Sequence, residues 1–102
     1  MTGREKHNMP LPSPRSIRRA CSNELYRTKK RLGKYIAEEK FHQAVEFYFR
    51  KVIENLVWIH QHHSNRKLLA DWWDETVSAA IAEMWEEDRS KLCRAFRDAF
   101  GG

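Results

Sequence analysis

At 102 residues, with 41% hydrophobic side chains, twelve aromatics, four Gly and three Pro, the chain has apolar material for one core and too little turn chemistry for an all-β fold. Its formal charge of +5 is unevenly placed: residues 1–35 carry ten Lys/Arg against two acids, and the remainder carries nine against twelve. No apolar run approaches the ~20 residues of a membrane span and no hydrophobic leader is present, so a cytoplasmic protein without a membrane partner is expected.

Residues 1–12 are polar and basic, interrupted by Pro10 and Pro12, and lack periodicity, which predicts a disordered tail ahead of a single helical domain over 13–102. Ser13-Pro14 is a helix start, an oxygen at the N-cap followed by a proline whose missing N–H costs nothing there. Ile17, Cys21, Leu25, Thr28, Leu32, Tyr35 and Ile36 then recur at three- and four-residue steps, on a stripe about 80° wide that excludes every basic residue from Arg15 to Lys34. Gly33 is expected to weaken this helix without ending it.

The next stripe, Phe41, Ala44, Val45, Tyr48, Phe49, Val52, Leu56 and Ile59, is displaced from the first by roughly 140°, so a break is predicted near residues 37–40. The second helix is expected to reach about His63, with Ser64-Asn65 as turn and cap. A third carries Leu69, Trp73, Val77, Ile81 and Met84, then Leu92, Ala95, Phe96 and Ala99, and closes at Gly101-Gly102. The stripe drifts around Glu86–Ser90, where a long helix is kinked or Asp88 caps a separate segment; the long helix is favoured. The expected fold is thus an all-α antiparallel bundle of three main helices, the last one long and kinked or split.

Arg15, Arg18, Arg19, Lys29, Lys30 and Lys34 fall opposite the first stripe, with Tyr26 among them. Glu24 is the single acid in this segment, so the face lacks the alternating i,i+4 pairing of an ordinary solvated helix. Cations supply phosphate contacts and a tyrosine can stack on an unpaired base, which makes the expected function a small non-enzymatic nucleic-acid-binding module, DNA or RNA unresolved. Lys29-Lys30-Arg31 would also serve as a nuclear import signal in a eukaryotic or viral setting. The alternative is an adaptor or accessory subunit that binds an acidic protein surface.

That alternative draws on the aromatics that fall off the stripes. Phe47, Trp58, Trp72 and Trp85 are expected to form an uncovered interface, and a homodimer is one outcome of such a patch. His60 and His63 have an i,i+3 spacing that can share a metal, but a helix C-terminus attracts histidines for its dipole alone, and no metal or cofactor is expected. Glu39 and His42 form a single Glu-x-x-His where a di-iron bundle needs two. Cys21 and Cys93 form no CxxC and suit a reducing compartment. The acids Asp71, Asp74, Glu75, Glu83, Glu86, Glu87 and Asp88 read as a solvated surface, and no HExxH, glycine-rich phosphate loop or Ser/His/Asp set occurs, so no catalytic residue is expected.

Overall fold

Ser13 and Pro14 begin the first helix as their chemistry dictates. In the computed structural model, which describes residues 10–102, α1 spans Pro14–Leu32, with the Ser13 hydroxyl accepting from the Ser16 amide at 3.1 Å. Its stripe is buried at Ile17, Cys21, Leu25 and Thr28, and the Thr28 hydroxyl satisfies itself on the Glu24 carbonyl at 2.8 Å. The tail expected over 1–12 falls mostly on residues 1–9, outside the described residues.

Gly33 ends α1, contrary to the expectation that the helix runs through it. Its φ of 65° lies in the left-handed region, and from there its N–H reaches the Lys29 and Lys30 carbonyls at 3.1 and 3.2 Å. A residue without Cβ adopts this closing geometry at little cost. The break therefore comes four residues early: Ile36 is buried, while Tyr35, placed on the stripe by its spacing, is 86% exposed.

Five further helices follow: α2 (Glu38–Glu54), α3 (Leu56–Gln61), α4 (Arg66–Thr76), α5 (Ser78–Trp85) and α6 (Arg89–Phe100). Among the described residues there is no strand. The two expected long helices are thus divided. At Asn55 the side-chain amide donates to the Lys51 carbonyl at 2.9 Å, taking the acceptor that a continuing helix would give to the Asn55 N–H. At Val77 the Asp74 carbonyl is taken by the Ser78 hydroxyl and by the Arg89 guanidinium at 2.7 Å. Polar side chains that compete for an i−4 carbonyl bend or interrupt helices, and an added arginine completes the break.

The division between α5 and α6 is the one Asp88 signals, and it replaces the single long helix. Asp88 accepts from the Lys91 amide at 3.0 Å, and Asn65 does the same for Leu68 at 3.0 Å at the start of α4. Glu86 closes α5 with φ 52°. A residue with a Cβ is strained there, so Glu86→Gly is expected to raise unfolding free energy by about 0.5–1 kcal/mol in urea titrations. A variant less stable than the parent would show that Glu86 contributes more than a backbone position.

Packing follows from these stripes. α1 is flanked by α2 on one side and α6 on the other, α5 lies against α2, and α4 closes on α5 and α6. The core centre is aromatic: the Trp73 and Phe96 rings stack 3.8 Å apart, 2° from parallel, Tyr48 meets each edge-on at 6.1 Å, and Phe100 extends the stack. Arg97 fastens α6 to α4 through Asp71 and Asp74 at 2.5 and 2.7 Å. The guanidinium beside Asp71 holds its carboxyl below the usual range, so two of the acids expected on a solvated surface, Asp71 and Asp74, form a clamp with Arg97.

Candidate functional site

The cationic residues of α1 and of the turn that follows it divide into two groups by what they touch. Arg18 pairs with Glu46 and lies 4.1 Å over the Phe49 ring, and Lys34 donates to the Glu86 carbonyl at 2.5 Å with Glu87 at 3.8 Å. Both of these bases tie α1 to neighbouring segments. Lys29 is half-buried, its ammonium 5.3 Å from the Phe41 ring and 5.8 Å from that of Tyr26. By contrast Arg15, Arg19 and Lys30 are exposed and form no salt bridge among the described residues.

These three and Tyr26 fall on one line along the outside of α1. At ~100° per residue, positions 15, 19, 26 and 30 lie within about 60° of one another, and at ~1.5 Å rise the row is about 22 Å long. Tyr26 is 50% exposed, with the Lys30 ammonium 5.6 Å from its ring. Arg27 and Arg31, omitted from the expected site, are also exposed and without a salt bridge among the described residues. Lys29, Lys30 and Arg31 occupy the last turn of α1, where the helix dipole favours positive charge even without a ligand.

Glu24 does not belong to this face. It lies only about 20° from Ile17 at ~100° per residue, at the edge of the apolar stripe, and its carboxylate accepts a hydrogen bond from the buried Tyr48 hydroxyl. Burial pushes the Glu24 carboxyl up, against the lowering effects of Tyr48, Arg66 and Arg27, and pushes the Tyr48 phenol up as well. The one acid that seemed to interrupt the outer surface therefore turns inward, leaving the outer row more uniformly cationic than the composition of α1 implies.

A raised folded-state value means that the native protein holds the Glu24 proton to higher pH than the unfolded chain does. The associated stability is fully present below the unfolded glutamate value of about 4.3 and is lost as pH rises through the folded value. Glu24→Gln, which keeps an acceptor for Tyr48 without the charge, is expected to melt above the parent at neutral pH and to approach it near pH 4. Calorimetric scans across that range check this; a variant less stable at pH 7 would contradict it.

The expected aromatic interface is not assembled as one surface. Trp85, expected to be uncovered, is 3% exposed: its indole donates to the Lys40 carbonyl at 3.2 Å and stacks on Phe41 at 6.3 Å. Within α5 it continues the buried series Ser78, Ile81 and Ala82, a phase concealed by reading through the break at Val77. Phe47 is half-buried beneath the Lys51 ammonium at 5.5 Å, Trp58 is half-buried against the His62 ring at 4.6 Å, and half-buried Trp72 lines a cavity.

The histidines converge on that same cavity. His60 and His63 stack with centroids 5.7 Å apart, and the His63 Nδ1–H donates to the His60 carbonyl at 2.9 Å. Among the described residues no group of three or more His, Cys, Asp or Glu is placed to hold a metal ion, and no helix is long and apolar enough to cross a membrane. Cys21 and Cys93 are free thiols, and burial pushes both up, so neither is an activated nucleophile. Among the described residues, the surface row on α1 and the cavity behind it are features that folding alone does not use. No family model, no curated protein and no solved structure matches the chain.

Proposed function

We propose that the protein is a small non-enzymatic module that binds nucleic acid through the outer row of α1, Arg15, Arg19 and Lys30, with Tyr26 as a stacking platform. The six segments are read as three antiparallel arms, α1, α2–α3 and α4–α6, that present this row on a firm support. The observation that carries the reading is the absence of salt-bridge partners along the row among the described residues, beside Arg18 and Lys34, which do have them. Unpaired surface cations carry counterions, and a phosphate backbone releases those counterions on binding. A half-exposed ring between two lysines gives an unpaired base both a π face and neighbouring charge.

The test is fluorescence anisotropy with labelled 20-nucleotide single- and double-stranded probes at low salt, with polyglutamate as competitor. Binding that nucleic acid displaces and polyglutamate does not is expected. Equal displacement by polyglutamate would favour an acidic protein face as the partner, and no binding to either probe would end the nucleic-acid reading.

A further inference from the structure

Behind α1 lies a cavity of about 390 Å³, bounded by α1, α2, α3, α4 and α6. It is two to three times the ~150 Å³ that holds benzene in an engineered apolar cavity, and lies within the size range of small-molecule sites. Its walls include buried Ile17, Val52, Leu69 and Phe96 together with Leu56 and Ile59 of α3. None of the residues of α3 is fully buried. Its Leu56 and Ile59 rest against the margin of the core and also line the cavity, so an apolar occupant would complete their packing.

The polar groups at the cavity are few and unequally distributed. On the inner side Glu24 and Tyr48 bond to each other. Exposed His63 and Arg66 mark the mouth, with half-buried His60 beside them. Arg66 lies 3.7 Å over the Phe100 ring and gives Nε and Nη2 to the Phe100 carbonyl at 3.3 and 2.7 Å, which leaves Nη1. The His60 ring makes no hydrogen bond among the described residues and can donate while neutral; His63, with Nδ1 committed, donates from Nε2 once protonated. Three potential donors at one end of an apolar chamber, around a guanidinium fixed by stacking, are complementary to an anionic head on an apolar tail.

We infer that this cavity binds a single-tailed organic anion, a medium-chain carboxylate, with its tail between α1 and α3 and its head among His60, His63 and Arg66. Glu24 does not recruit the ligand; its carboxyl is bonded to Tyr48 on the inner side of the cavity. The site is separate from the outer row of α1 and does not depend on the nucleic-acid reading.

The experiment is isothermal titration calorimetry of the full chain with decanoate, decanol and decylammonium, each below its micelle threshold. Decanoate is expected to saturate one site and to bind about tenfold tighter than decanol, the size of one charge-assisted hydrogen bond. Arg66→Gln should bring decanoate down to the level of decanol while leaving decanol unchanged. Ala20→Trp, at an exposed position on the cavity wall, should abolish both, and Arg19→Glu with Lys30→Glu should alter neither. The inference is overturned if decylammonium binds as tightly as decanoate, if Glu24→Gln weakens decanoate, if the outer-row variant loses it, or if no ligand saturates.

Discussion

Replacing Phe96 with alanine is expected to cost about 3–5 kcal/mol of unfolding free energy, the range for deleting a fully buried aromatic. Phe96 is 1% exposed and lies at the meeting point of three elements, stacked on Trp73 of α4 and Phe100 of α6 and met edge-on by Tyr48 of α2. The space it leaves cannot close by moving one side chain, because its neighbours are rings held by separate helices. Domains of this size have only 5–15 kcal/mol in total, so the variant should be partly unfolded at 37 °C, as seen in chemical denaturation and near-UV circular dichroism. Phe96→Leu, which keeps much of the volume, should lose far less. Equal losses for the two, or a loss below 1 kcal/mol for alanine, would mean that this stack is not the centre of the core.

The second large effect is expected at the surface. Arg19→Glu with Lys30→Glu should reduce affinity for a nucleic-acid probe about a hundredfold at 50 mM salt, since two phosphate contacts become two repulsions. Both residues are exposed and neither forms a salt bridge among the described residues, so helicity and melting temperature should be unaltered. Arg18→Ala makes the instructive contrast. Arg18 pairs with Glu46 and covers the Phe49 ring, so its loss should appear mainly in stability. If the Arg19/Lys30 variant keeps parental affinity while Arg18→Ala loses it, the binding surface lies toward α2 and not along the outer row.

The sequence was most readable where local chemistry and periodicity agreed. Ser13-Pro14, Asn65 and Asp88 each announce a cap that the backbone uses, and Ile17, Cys21, Leu25 and Thr28 are buried as their spacing requires. The misreadings share one cause, treating the helical wheel as continuous across a break. The apolar stripe continues past Gly33 and so conceals it, although its left-handed φ is what ends α1. Ser78 and Asn55 interrupt their helices through side-chain bonds to i−4 carbonyls, and those bonds leave no trace in hydrophobic spacing. Trp85 was misplaced for the same reason, although its i,i+4 relation to Ile81 was visible.

The site was legible to a different degree. That α1 has a cationic outer side follows from the positions of its bases, but which bases remain unpaired depends on α2 and on the α5–α6 turn, where Glu46, Glu86 and Glu87 come from distant sequence. Glu24 is legible in the sequence: its angular position beside Ile17 puts it at the edge of the apolar stripe, and a carboxylate drawn inward there needs a partner such as Tyr48. The cavity is not, because its walls come from five helices and its α3 side depends on the interruption at Asn55, which leaves Leu56 and Ile59 only partly buried beside it.

The claim that α1 is a phosphate-binding row is tested most directly by the dependence of probe affinity on salt, measured for the parent and the Arg19→Glu/Lys30→Glu variant together. With Arg15, Arg19 and Lys30 each neutralising a phosphate, log K against log salt should fall with a slope of about −3 on duplex DNA. In the variant the magnitude should drop by about two. Parallel lines for the two proteins, or an affinity that does not change with salt, would contradict it.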